Sequence, residues 1–122
     1  MLPTFMTRIL FPLLLVNCLL ACRSTPYQPD TYQGKQLFFG SGGGITGAVT
    51  TYSLLPNGEL YRDQPHDSAG FALLAEVAGK AARTAHRQAR DLASYELDEP
   101  GNFYYFISYQ SKKENFRLTW GR

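Results

Sequence analysis

The chain has 122 residues, 44% of them hydrophobic and 14% aromatic, with twelve basic and ten acidic side chains. A charge balance this close to neutral argues against a nucleic-acid partner, because binding to phosphate backbones requires a markedly basic domain. The two cysteines, Cys18 and Cys22, both lie near the N-terminus. We therefore expect no disulfide in the folded part of the chain.

Residues 1–21 are typical of a secretory signal peptide. Arg8 supplies a positive charge ahead of an apolar run, residues 9–16, that only Pro12 interrupts. The run is too short to span a membrane, which takes about 20 apolar residues. Met6-Thr7-Arg8 is a more usual start for a signal peptide than Met1, and both translation starts stay open.

The signal ends in Leu19-Leu20-Ala21-Cys22, which resembles the bacterial lipobox. In that motif the cysteine is acylated and becomes the first residue of the mature chain, so the resemblance implies lipidation, including palmitate, at Cys22. Several acyl chains on one residue make membrane attachment effectively permanent. An ordinary cleaved signal or an uncleaved anchor is the alternative.

Residues 22–35 are predicted to form a flexible tether, because they contain Pro26, Pro29 and Gly34 and no apolar periodicity. The segment lacks the acidic cluster that, by family resemblance, marks many lipoproteins exported to the cell surface. This favours the bacterial cell envelope, on the outer membrane and facing the periplasm, with surface exposure left open. Removing residues 1–21 from 122 leaves 101 residues, enough for one domain.

That domain, residues 36–122, begins with β-strand patterns. Residues 36–39 form a short strand candidate, and residues 45–55 are rich in β-branched and aromatic side chains. Pro56-Asn57-Gly58 predicts a turn, because Asn-Gly tolerates the positive φ angles of tight hairpins. Residues 59–62 then return as the partner strand.

The second half of the domain predicts one helix and two more strands. Alanine and leucine recur at helical spacing over residues 71–93, with Gly79 inside the run. Residues 102–110 and 115–120 follow as strands, the first apolar on both faces. The predicted fold is an α+β domain of order β-β-β-α-β-β, an antiparallel sheet with one long helix packed on one face.

Glycine is concentrated in the stretch FFGSGGGITGAV, residues 38–49, where Gly42, Gly44 and Gly47 match the spacing of a dinucleotide fingerprint. That fingerprint requires a helix after the glycines to receive the pyrophosphate, whereas strand-forming residues follow here. We therefore predict no nucleotide and no cofactor. Two interpretations remain, a bend between strands and a backbone surface that a partner approaches closely. The candidate partner-binding residues are Gly40, Ser41, Gly42, Gly43, Gly44 and Gly47.

The sequence contains few residues that could form a catalytic site. His66, beside Asp67, is predicted in a loop and His86 on the helix, and two histidines without a mature thiol build neither a metal site nor a nucleophile triad. Ser41 lies outside any strand-turn-helix elbow. The expectation is surface histidines, a loop serine, no metal and no enzymatic activity.

The predicted helix carries a basic stripe. Its members, three or four residues apart, are Lys80, Arg83, Arg87 and Arg90. Glu76 and Asp91 are spaced to balance Lys80 and Arg87 on a helix. A solvated face is one interpretation, and docking onto lipid head groups or an acidic partner is the other.

The order of motifs resembles a known family. FGSGGGITG, an Asn-Gly turn, a helix, EPGNFYYF and a final LTWG, together spanning residues 38–121, look like a family of small bacterial lipoproteins without an assigned function. More distantly, Gly43, Gly44, Gly47 and the order of strands are similar to emfourin-like inhibitors of thermolysin-type metalloproteases. The resemblance implies a non-enzymatic binding module tethered in the envelope, inhibiting a protease in one hypothesis. In the other, the chain is a structural or accessory subunit of an envelope complex.

Overall fold

The computed structural model describes residues 26–64 and 70–122. Within them the chain forms one seven-stranded sheet and one α-helix. The strands are β1 (Gln36–Gly43), β2 (Thr50–Leu54), β3 (Glu59–Asp63), β4 (Phe71–Glu76), β5 (Asp98–Glu99), β6 (Phe103–Gln110) and β7 (Asn115–Gly121), and the helix, α1 (Gly79–Asp91), continues as a 3-10 turn, Leu92–Ser94. The strands lie side by side in the sheet in the order β4-β3-β2-β1-β6-β7-β5.

A sheet with one helix agrees with the predicted α+β class, but the predicted layout is wrong in two places. Residues 71–76, expected to begin the helix, form β4 and pair with β3. Strand β5 was not predicted, and it pairs with β7 in parallel, whereas every other neighbouring pair is antiparallel. The helix is correspondingly shorter than the predicted residues 71–93.

A backbone contact explains why α1 begins at Gly79. The Val77 N–H donates to the Gly58 carbonyl at 2.8 Å, which holds the chain against the turn between β2 and β3. A Cβ on Gly58 would lie 2.1 Å from the Val77 oxygen, so the predicted turn glycine is needed for close approach as well as for its φ of 101°. Pairing with β3 therefore overrides the helical spacing of the apolar residues before Val77.

The helix covers only part of one sheet face. Side chains alternate between the two faces of a strand, and Leu37, Leu54 and Tyr109 point to the same face from three adjacent strands. They form the core with Ala82 and Ala89 of α1, whose small side chains permit close approach. These core residues lie near the start of β1, which we name the entry end of the sheet.

The opposite end, where Gly43 of β1 faces Phe103 of β6, we name the glycine end. Helix α1 crosses the strands at the entry end, since it contacts the three adjacent strands β2, β1 and β6 there. In the described part of the chain, no helix lies above the same sheet face at the glycine end. This uncovered half contains the candidate site.

The other sheet face is covered by the segment before β1. The Tyr27 hydroxyl donates to Gln36 Oε1 and accepts from Ser53 Oγ at 2.7 Å. Its ring stacks on Tyr61 at 4.3 Å between centroids and meets Phe71 edge-on at 5.9 Å. Burial raises the pKa of Tyr27 to about 12.

This contact bears on the predicted tether, residues 22–35, of which the structure describes residues 26–35. Gln36 Nε2 also donates to the Pro29 carbonyl at 3.2 Å, so the described part of the segment lies on the sheet at two points. Any spacer between Cys22 and the domain is therefore confined to the residues before Tyr27.

Tyr27→Phe tests this attachment. The change keeps the stacked ring but leaves Gln36 and Ser53, which are 4% and 0% exposed, without their shared partner. We expect a loss of about 1–3 kcal/mol in the free energy of unfolding, measured by urea denaturation. Tyr32→Phe, which removes a hydroxyl from an exposed ring of the same segment, is the matched control. Equal stability of the two variants would contradict the attachment.

Candidate functional site

The glycine run and the aromatic strand β6 fit together side by side. Gly40 pairs with Phe106 and Gly42 with Tyr104. A Cβ on Gly40 would lie 3.0 Å from the Phe106 ring, and one on Gly42 would lie 2.6 Å from the Tyr104 hydroxyl. Alternate residues of β6 thus place aromatic rings over alternate glycines of β1.

The bend itself begins after β1. Gly43, Gly44 and Gly47 have φ angles of 96°, 80° and 65°, which only glycine adopts without strain. The Gly44 N–H donates to the Asn102 carbonyl at 2.7 Å, and the Gly47 N–H donates to the Gly44 carbonyl at 3.3 Å. Strand β2 accordingly starts at Thr50 and not at residue 45 as predicted.

These contacts give the glycines a role within the domain. Cβ atoms at Gly40 and Gly43 would lie 2.0 Å and 2.2 Å from the carbonyl oxygens of Thr50 and Asn102. Ser41 is an exposed residue of β1 and not the loop serine expected from the sequence. The surface that the bend offers to a partner is formed chiefly by Ile45, whose relative exposure is 107%. Partner binding by the glycine set stays a prediction.

An apolar groove of about 310 Å³ lies on the uncovered half of the sheet, and we name it the aromatic groove. Its lining residues are Phe39, Gly40, Ser41, Tyr52, Tyr105, Phe106, Ile107 and Trp120. Register explains the arrangement, because Ser41 faces Tyr105, which in turn faces Trp120 on β7. A small side chain thus lies next to two large ones on neighbouring strands.

Two stacked ring pairs form much of the aromatic groove. Tyr105 and Trp120 have centroids 6.2 Å apart at 29°, and Phe39 and Tyr52 lie 5.5 Å apart at 16°. Tyr105 and Trp120 remain 52% and 41% exposed, and Phe103 nearby is 61% exposed. Exposed aromatic clusters of this kind mark interaction sites, since rigid rings bury a large area at a low cost in conformational entropy.

The lining of the aromatic groove is chiefly apolar. Its polar side-chain groups are the Ser41 hydroxyl, the tyrosine hydroxyls and the Trp120 indole N–H, and its lining includes no histidine, carboxylate or amine. A cation lies beside it, because Arg62 Cζ is 6.0 Å from the centroid of the Tyr52 ring. Such a surface can bury apolar side chains and orient a partner through a few hydroxyls.

The histidine expectation needs one correction. His86 is buried against the sheet and not on the surface, with its Nε2 2.8 Å from the Leu54 carbonyl oxygen. His66 and Asp67 lie outside the described residues. Among the residues that the structure describes, no group of histidine, cysteine and carboxylate side chains could hold a metal ion.

The four residues of the basic stripe are all exposed on α1. Glu76 is the last residue of β4, so its predicted helical pairing with Lys80 is wrong. Arg90, in the last turn, lines a second groove of about 470 Å³ together with Lys35, Lys112 and Lys113. The stripe therefore ends in a larger basic cluster that the sequence order did not indicate.

The predicted signal peptide and lipidation site, residues 1–21 and Cys22, lie outside the described residues. Between residues 26 and 122, leaving aside 65–69, no helix is long and apolar enough to cross a membrane. No protein-family model matches the chain, and no curated protein is similar enough in sequence to serve as a relative. The two family resemblances stay predictions.

Sequence reasoning missed the aromatic groove as a site. A signal was present, since NFYYFISYQ is apolar on both faces and Trp120 ends the last strand. The groove depends on where α1 crosses the sheet, and tertiary packing sets that position, which the sequence pattern does not indicate.

Proposed function

We propose that this chain is a membrane-tethered, non-enzymatic binding module of the bacterial cell envelope, anchored through an acylated Cys22 on the periplasmic side of the outer membrane. Its binding surface consists of the aromatic groove and the neighbouring Ile45 and Phe103. The occupant is a protein partner that contributes apolar side chains.

The exposed ring pair Tyr105–Trp120 is the observation that carries this proposal. A small domain gains stability by burying aromatic rings, so leaving a stacked pair half exposed beside an open groove favours a role in binding over one in folding. The groove lining contains no histidine, carboxylate or amine, which supports a binding role over a catalytic one.

A test of the surface uses chemical crosslinking of the intact protein in its own envelope. We expect Tyr105→Ala/Trp120→Ala to lose at least about tenfold in crosslinked partner, because central aromatic residues contribute 2 kcal/mol or more to an interface. Tyr95→Ala, which removes an exposed ring outside the aromatic groove, is the matched control. Equal crosslinking yields from both variants would overturn the proposed surface.

Protease inhibition is the more specific form of the proposal. Testing it requires a variant that leaves the fold intact. Bulky residues at Gly43 and Gly44 would disturb the contact with Asn102 as well as any protease contact. Ile45→Ala is cleaner, because the Ile45 side chain is fully exposed at the tip of the bend. Inhibition of a thermolysin-type metalloprotease by the unaltered protein, lost in Ile45→Ala, would support protease inhibition. If the unaltered protein does not inhibit such a protease, this form of the proposal is wrong.

A structural or accessory subunit of an envelope complex is the second candidate. It is favoured by β4, which among the described residues is an edge strand paired with β3 alone and exposes Leu73 and Leu74. Unpaired edge strands can accept a strand from another chain. Leu73→Lys would block such pairing and leave the aromatic groove unchanged, so crosslinking of this variant separates the two candidates.

A further inference from the structure

A cluster of cations lies at the entry end of the sheet, and we name it the basic pole. It consists of Lys35 before β1, Arg90 at the end of α1, and Lys112 and Lys113 in the β6–β7 turn, all lining one groove. Glu114 lines the same groove, and Asp30 lines an adjoining one. Four cations therefore face two carboxylates in a chain whose overall charge is close to balanced.

The described chain enters the domain at this basic pole. Residues 29–34 and the β6–β7 turn line shared grooves, so the segment before β1 runs beside Lys112. Tyr27 fixes that segment to the sheet. From Cys22 to Tyr27 is five residues, which in any conformation span at most about 18 Å.

We propose that the basic pole contacts anionic lipid head groups of the membrane that holds Cys22, and so acts as a second membrane contact that orients the domain. This inference rests on the lipid anchor of the proposed function. A spacer this short holds the entry end of the sheet near the lipid surface, so the basic pole can come within a Debye length, about 8 Å at physiological salt, where attraction between cations and anionic lipids operates. Four closely spaced cations complement the negative charge of such a surface.

The proposed contact also determines where the aromatic groove points. Strand β1 runs eight residues, or about 25 Å, from Gln36 at the entry end to Gly43 at the glycine end. With the basic pole on the membrane, Ile45, Tyr105 and Trp120 lie on the side away from the lipid, open to a partner.

The experiment uses the intact lipidated protein in vesicles, with a nitroxide label at one introduced cysteine. Asn115→Cys places the label beside the basic pole, and Ile45→Cys places it at the glycine end. In vesicles containing phosphatidylglycerol we expect the label at position 115, but not at 45, to be shielded from a water-soluble nickel chelate. In pure phosphatidylcholine, or at about 1 M salt, the shielding is lost.

Charge variants complete the test. Lys112→Gln/Lys113→Gln removes two cations of the pole and should lower the equilibrium constant for contact by about 30-fold. Arg62→Gln/Arg122→Gln removes the same charge away from the pole and should keep the shielding. Equal access of the chelate to position 115 in both lipids overturns the contact while leaving the anchor. An unacylated Cys22, seen in the mass of the purified protein, overturns the anchor and this inference with it.

Discussion

Replacing Gly40 by alanine is expected to destabilise the domain by about 3 kcal/mol or more, although only one methyl group is added. Gly40 lies in β1, between β2 and β6, and its added Cβ would come within 2.0 Å of the Thr50 carbonyl oxygen and 3.0 Å of the Phe106 ring. The Thr50 carbonyl is part of the backbone and cannot rotate away from the added methyl group as a side chain can, so β1 and β2 must separate. That movement would break the ladder that joins the two strands.

Gly47→Ala is the matched control for Gly40→Ala. Gly47, unlike Gly40, has a positive φ, 65°, but a Cβ there would meet nothing within 4 Å. Its expected cost is that of backbone strain alone, about 1–2 kcal/mol, and Gly47→Asn should cost less because asparagine tolerates this conformation. Urea denaturation of the variants measures the difference. A Gly40→Ala loss no larger than that of Gly47→Ala would contradict the close packing of β1 against β2 and β6.

The glycine run illustrates what the sequence allowed and what it did not. Excluding a nucleotide required only the strand-forming residues after Gly47, and a bend was one of the two interpretations left open. That Gly40 and Gly42 lie under aromatic rings of β6 could not be read from a pattern, because the register joins residues more than 60 positions apart. The motifs GSGGG and NFYYF, separate in sequence, form one packing unit.

The helix boundary shows a different limit. Alanine and leucine spacing predicted a helix from residue 71, and the pattern is truly helical from Gly79 onward, where Ala82, His86 and Ala89 are buried. Before Gly79 the apolar spacing suits a helix as well as a strand, and pairing with β3 decides between them. The turn at residues 56–58, by contrast, was predicted correctly, because proline and glycine determine it locally.

These boundaries matter for function because they divide one sheet face into two halves. Helix α1 crosses the strands at the entry end and leaves the glycine end open. The covered half supplies the core, and the open half supplies the aromatic groove. Phe39 and Ile107 contact both the core and the groove, whereas Tyr105 and Trp120 line the groove alone, so these two can be replaced without removing a core contact.

Below about pH 6.5 the domain is expected to lose stability through His86. Its Nε2–H donates to the Leu54 carbonyl at 2.8 Å, its ring meets Tyr109 edge-on, and its buried Nδ1 has no partner among the described residues. Burial lowers the pKa of His86 below the ordinary value of 6.5, and the nearby cations Lys35 and Arg90 lower it further, against the opposing effect of the Leu54 hydrogen bond. Protonation would place a charge on Nδ1 with no acceptor beside it.

The sign of the effect follows from linkage. The unfolded chain binds this proton more tightly than the folded one, so the stabilisation is complete above pH 6.5 and declines as the pH falls from 6.5 towards the lower folded pKa. The slope approaches about 1.4 kcal/mol per pH unit. Carboxylates do not confound this window, because they titrate near pH 4 in unfolded chains.

Urea denaturation at pH 7.5 and pH 5.5 measures the effect directly. His86→Gln keeps a donor for the Leu54 carbonyl but cannot be protonated, so its free energy of unfolding should be lower at pH 7.5 and change little towards pH 5.5. His66→Gln, which removes the other histidine of the chain, should retain the pH dependence of the unaltered protein. Parallel pH dependence in both variants would show that His86 titrates normally in the folded state, as a histidine in contact with solvent does, and would place the helix-to-sheet packing around it in doubt.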